Sequence, residues 1–185
     1  MKRGVFLDKY IKAQLKKGTF FNTSRKQMTF DDVVNHIIAF VKKNPTGIFT
    51  LAIGTDSQVK SDCTLFISAI MIYRYGKGAW GCMRKFRTPR RITNLREKIS
   101  IETLLTQQMA YMFKPDILDR IIEIILPYLD KGAEFHHEVH IDIGKVGASR
   151  KLINEMTSYF AGMEFETKIK PYSYVASSYA NKYTK

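Results

Sequence analysis

Three acids stand where acids are costly to place. Asp56 lies in "IGTDSQ", directly after the apolar run "GIFTLA". Glu102 lies in a long helical segment; at 100° per residue it falls within about 40° of one line with Leu95, Ile99, Thr106, Met109 and Phe113. A carboxylate on that line enters the apolar stripe, and it then needs a proton, a cation or strong hydrogen-bond donors. Asp142 closes "HEVHIDIG", where alternation puts Val139, Ile141 and Ile143 on one face and Glu138, His140 and Asp142 on the other. If the strands ending in Asp56 and Asp142 are parallel neighbours, about 4.8 Å apart, their carboxylates can share a cation with Glu102. Three carboxylates and water suit a hard divalent ion, Mg²⁺ or Mn²⁺. Each acid also has a plainer role. Asp56 can form a turn, Glu102 can pair with Lys98, and Asp142 can cap the turn "GKVGAS".

Beside these acids runs "RKFRTPRRITNLREK", Arg84 to Lys98, with seven basic residues and one acid. Arg84, Lys85, Arg87, Arg90, Arg91 and Arg96 are candidate phosphate contacts, because guanidinium forks match phosphate oxygens. Phe86 and Trp80 read as core residues. The tract leads into the helix that carries Glu102. The whole chain points the same way: 30 Lys and Arg against 17 Asp and Glu give a formal charge of +13. Such a field attracts polyanions, so nucleic acid is the expected partner.

Other chemistries fit poorly. Cys63 and Cys82 lie in strand-like runs and read as small buried hydrophobes. "HHEVH" lacks the H-E-x-x-H spacing of a helical zinc site, and His140 reads as a neighbour of the acids at most. There is no phosphate-binding loop of the G-x-x-x-x-G-K-[ST] kind, no G-x-S-x-G and no C-x-x-C. No apolar run reaches the roughly 20 residues of a membrane span, and the basic N-terminus lacks the apolar stretch of a secretory signal. The expected setting is cytoplasmic, away from membranes.

The elements that must position the acids follow from periodicity and punctuation. Residues 1–28 read as a basic segment and 29–185 as a single domain. A helix begins after Thr29, with Asp31 and Asp32 in its first turn, and stops before Pro45. Strands are expected at 47–58, 63–75 and 79–87, joined by hairpin-like turns. Helices follow at 93–113 and 115–130, then a strand at 138–144, a helix at 148–161, a strand at 165–171 and a short closing helix. Hairpin-linked strands are antiparallel, whereas strands reached through helices run parallel to a neighbour. The expected class is a mixed α/β sheet with helices on both faces.

This order, with "IGTDSQV", "KISIETLLT", "HIDIG" and the tail "KIKPYSYVASSYANKYTK", resembles the ribonuclease H-like fold over residues 29–185. It is most similar to the YkuK-type group of bacterial ribonuclease H-like proteins. The resemblance implies a five-stranded sheet of order 3-2-1-4-5 with strand 2 antiparallel. It implies metal binding by Asp56, Glu102 and Asp142, and hydrolysis of RNA, DNA or hybrid by a two-metal mechanism. Asn181 stands where a fourth acid is usual; an amide ligates through its carbonyl but adds no charge. The alternatives are a module of this fold that grips nucleic acid without cutting it, and an interaction protein.

Overall fold

The computed structural model describes residues 19–183. The first helix, α1 (Phe30–Lys42), starts where the sequence predicts. Thr29 accepts a hydrogen bond from the Asp32 N–H at 3.1 Å, and the Asp32 carboxylate accepts from the Thr29 N–H at 2.8 Å. Its apolar stripe, Val33, Ile37 and Val41, is fully buried.

Three strands follow: β1 (Ile48–Val59), β2 (Thr64–Arg74) and β3 (Gly78–Thr88). The helix α2 (Leu95–Ala110) opens on Asn94, whose side chain accepts from the Glu97 N–H. Leu95, the first residue of the expected stripe, is exposed, while Ile99, Thr106, Met109 and Phe113 are buried. Then come α3 (Pro115–Ile125), with Pro in its first turn, and a 3₁₀ turn over Leu126–Lys131. β4 (Glu134–Ile141) begins four residues earlier than periodicity suggests and ends before Asp142. Its length is set by pairing with β1, which the isolated pattern "EFHHEVHI" does not reveal. The expected helix over 148–161 is a 3₁₀ turn, Ala148–Leu152, followed by α4 (Ile153–Ser158). β5 (Glu166–Ile169), a π-helical turn Val175–Ala180 and a 3₁₀ turn Asn181–Tyr183 close the described chain.

The five strands form one sheet of order β3-β2-β1-β4-β5. β2 is antiparallel to β1 and β3, while β1, β4 and β5 are parallel. This is the expected architecture. One face, with Phe49, Leu51 and Ile53, packs under α1, α2 and α3. The other, with Ala52, Ile67 and Ala69, packs under the last helix. Gly54 lets that helix come close: a Cβ there would lie 2.8 Å from the backbone nitrogen of Ala176.

Residues 20–28, just before α1, pack into this domain. Phe20 and Met28 exchange backbone hydrogen bonds and both are buried in the main core. Phe21 pairs in the same way with Met83, lying along the outer edge of β3. The apolar residues of "TFFNTSRKQM" are too few for a periodic signal. Residues 1–18 of the expected basic segment lie outside the described residues. Among the described residues, no helix is long and apolar enough to cross a membrane.

Candidate functional site

The pairing of β1 with β4 brings two of the acids to one place. Gly54 lies opposite His140 in the parallel ladder. Two residues further along each chain are Asp56 and Asp142, at the carboxyl edge of the sheet. Asp56 shares its face with Ala52 and Gly54, the face covered by the last helix. Its neighbour Ser57 points the other way, towards α2, and donates a hydrogen bond to Glu102 Oε1 at 2.5 Å. Glu102 therefore meets the end of β1 from the opposite side of the sheet.

Glu102 is 5% exposed. Its pKa is pushed up to about 8, first by burial, with the Asp56 and Asp142 charges adding to the rise; the Ser57 hydroxyl and the Lys98 ammonium oppose it. The surface pairing with Lys98 considered from sequence is reduced to that long-range attraction. Behind Glu102, the hydroxyls of Thr106, Thr55 and Ser68 lie 2.9 Å apart in sequence, and Thr106 also contacts the Glu102 carbonyl at 2.9 Å. This buried chain ties α2 to β1 and β2 just below the acid.

Asp142 is held differently. The Lys170 ammonium is 2.9 Å from its Oδ1, but off the hydrogen-bonding direction, so that buried oxygen has no hydrogen-bond partner. His140, two residues earlier, is fully buried. Its Nδ1 accepts from the Val175 N–H at 3.1 Å, which leaves the proton on Nε2, 2.9 Å from Glu138 Oε2. His140 thus fastens the start of the last helix to β4. That helix leads to Asn181, whose side chain lies outside the described residues.

The donors suit a hard divalent cation in kind. One feature calls for positive charge: a buried carboxyl pushed towards its protonated form first by burial and then by two neighbouring carboxylates. As placed, however, no three His, Cys, Asp or Glu side chains among the described residues are close enough to hold an ion.

The basic tract divides. Arg84 is 5% exposed, and its guanidinium lies 5.4 Å from the Phe20 ring centroid, in the core rather than in reach of a phosphate. Its sequence neighbours alternate outward. Lys85 is exposed over the Phe21 ring at 5.1 Å, and Arg87 pairs with Asp62 at 2.6 Å. Arg90 pairs with Glu97, and Arg96 with Glu155 at 2.7 Å. Arg91 is exposed and has no ion pair among the described residues. Asp56 lies opposite Ile67 on β2, and Ile67 opposite Lys85 on β3, so Lys85 and Asp56 share a row on one face.

Sequence reasoning missed Ser57 and Lys170, while His140 stands beside the acids, the most that was expected of it. Ser57 had a usable signal: it is a polar residue beside an acid after an apolar run. Lys170 had none, because its approach to Asp142 depends on the β4–β5 pairing.

Comparison with known proteins agrees with this architecture. A family model described as "Ribonuclease H-like" matches residues 32–185. The "Uncharacterized protein YkuK" of Bacillus subtilis (strain 168) is 49% identical over 166 residues, covering 90% of this chain and 96% of that protein. No solved structure matches the chain. The sheet order, the paired strand ends and these matches lead to one conclusion: the chain belongs to the ribonuclease H-like family.

Proposed function

We propose that the protein is a metal-dependent nuclease that hydrolyses phosphodiester bonds of RNA, DNA or a hybrid. The observation that carries this reading is the convergence on Glu102. Burial and two neighbouring carboxylates raise its proton affinity at the edge where Asp56 and Asp142 end in register. Such a site is relieved by a divalent cation. Asp56, Glu102 and Asp142 would hold Mg²⁺ or Mn²⁺, which supplies activation of water and charge stabilisation at the phosphate. The protein's own groups do the rest. Ser57 orients the Glu102 carboxylate, and His140 fixes the helix that leads to Asn181. Lys85, Arg87, Arg90, Arg91 and Arg96 attract and align the phosphate backbone from the solvent side, through contacts that salt weakens.

A second reading has its own support. The acids are not gathered tightly enough to hold an ion as placed, and Lys170 already approaches Asp142. A module that binds nucleic acid through its basic surface, with little or no cleavage, fits that arrangement. One experiment separates the two. Labelled RNA, DNA and hybrid are incubated with Mg²⁺ or Mn²⁺ and either wild type or Asp56→Asn. The nuclease reading expects metal-dependent cleavage that falls at least roughly 100-fold in the variant, the upper end of what loss of an outer partner alone costs. Salt-sensitive binding by both proteins with cleavage by neither would establish the binding module instead.

A further inference from the structure

Away from the carboxylates, a cleft of about 340 Å³ lies at the outer edge of β3, beside the segment that pairs there. Its walls include Asn22, Arg25, His36, Trp80, Tyr179 and Tyr183. The volume is at the small end of ligand sites, which run from roughly 300 to 1,000 Å³. Trp80 comes from the α1 face of the sheet, stacked on His36 with ring centroids 5.0 Å apart. Tyr179 and Tyr183 come from the other face and meet edge to face at 5.8 Å. Gly81 lies between these groups and leaves room for Tyr179: a Cβ there would be 2.8 Å from the Tyr179 hydroxyl, which would have to shift. Asn22 clamps the strand by donating to the Gly81 carbonyl at 3.2 Å.

The chemistry of this lining is selective. It offers three aromatic rings, hydroxyl and amide groups and one permanent cation, Arg25. Among the described residues, no Asp or Glu lines it. Lys182 adds a second positive charge beside Tyr183, 5.8 Å from that ring. Aromatic faces next to cations, with no acid, suit flat bases joined by phosphates.

The cleft shares β3 with the basic tract. Gly81 lies opposite Met71, and Met71 opposite Ala52, so this row shares a face with Asp56. Lys85 is four residues further along β3, about 13 Å at 3.3 Å per residue. Between Lys85 and Asp56 lies Ile67, fully buried under the last helix, so the exposed route runs along the strand edge. We propose that the cleft binds unpaired bases of a single-stranded nucleic acid whose backbone leaves along the outer edge of β3 past exposed Lys85. This rests on nucleic acid being the partner, the premise shared by both readings of function.

The protein carries its own reporter, since Trp80 is its sole tryptophan. A short single-stranded oligothymidylate is titrated into the full chain in EDTA, where metal-dependent cleavage is excluded. Trp80 emission is followed together with the fluorescence anisotropy of an end-labelled copy of the same oligomer. The expected result is saturable quenching with the same midpoint as the anisotropy. Tyr183→Ala should weaken binding by roughly 5- to 150-fold, the range for losing a stacked base, and exposed Arg25→Ala should weaken it and flatten its salt dependence. An anisotropy rise with unchanged Trp80 emission would place the strand elsewhere, overturning the cleft but not the functional reading. No binding in either channel would overturn the cleft, whereas the functional reading falls only if RNA, DNA and hybrid are neither cleaved nor bound in the presence of metal.

Discussion

Asp56 and Glu102 are almost wholly removed from solvent, inside a strand and a helix, and the Ser57 hydroxyl next to Asp56 holds the Glu102 carboxylate in place. Arg87, Arg90, Arg91 and Arg96 stand in solvent nearby, three of them already tied to a neighbouring acid. The two regions spend free energy differently. Burying a carboxylate next to others costs several kcal/mol unless it is protonated or compensated, on the order of the penalties for buried ions generally. An exposed arginine pair contributes about 0–1 kcal/mol and is screened by salt. Fixed, costly acids suit a role that depends on position. Cheap, exposed bases suit attraction and loose alignment. Arg84 crosses the line between the two: it belongs to the basic tract by sequence but to the core by burial.

The comparison is broken most strongly at Glu102. Its folded-state pKa, about 8, lies above the ordinary value of 4.5. The folded protein therefore holds this proton more tightly than the unfolded chain. Stability from this group is complete at low pH and is lost as pH rises between about 4.5 and 8. Glu102→Gln keeps the shape and an acceptor for Ser57 but removes the charge. It should match wild type near pH 4. Near pH 9 it should be more stable by up to a few kcal/mol, since each tenfold change in proton affinity is worth about 1.36 kcal/mol. Thermal melts across that range check this, with a gap on the order of 5–10 °C expected for a chain of this size. Parallel curves for the two proteins would mean that the carboxyl is not held in the way its burial implies.

The next largest effect sharpens the division within the basic tract. Arg84→Ala removes a buried side chain packed on Phe20, and should lower stability by roughly 1–3 kcal/mol, read as a shift in the urea midpoint. An unchanged midpoint would return Arg84 to the solvent-facing group. The smallest effect belongs to Arg91→Ala. Its stability should stay within about 0.5 kcal/mol of wild type. Its nucleic-acid affinity should fall modestly for every sequence, with the slope of log affinity against log salt shallower by about one. A sequence-dependent loss would assign Arg91 to base reading instead.

The sequence revealed the acids for the reason that makes them costly. Asp56 and Glu102 interrupt apolar patterns, and such interruptions are visible without a structure. The order of helices and strands gave the mixed sheet, and the family resemblance supplied the strand order that puts β1 beside β4. What stayed hidden depends on contacts between distant segments. Ser57 faces Glu102 only because α2 crosses the end of β1. Gly54 lies inside the expected strand 47–58, and its lack of a side chain has no visible reason until Ala176 is seen against it. Phe20 and Met28 reach the core through a local pairing too short to leave a period, so the domain begins earlier than its first helix suggests. Within the basic tract, the alternation that buries Arg84 and exposes Lys85 and Arg87 was present in the sequence. It is overshadowed there by the sheer density of charge.

The central claim is that Asp56, Glu102 and Asp142 form one site for a divalent cation. Calorimetric titration of Mn²⁺ into wild type and Asp142→Asn at pH 8 tests it without any substrate. The account predicts saturable binding by wild type, accompanied by proton release as Glu102 ionises, and binding weakened at least roughly 10-fold in the variant. Equal binding by the two proteins, or none by wild type, would contradict it.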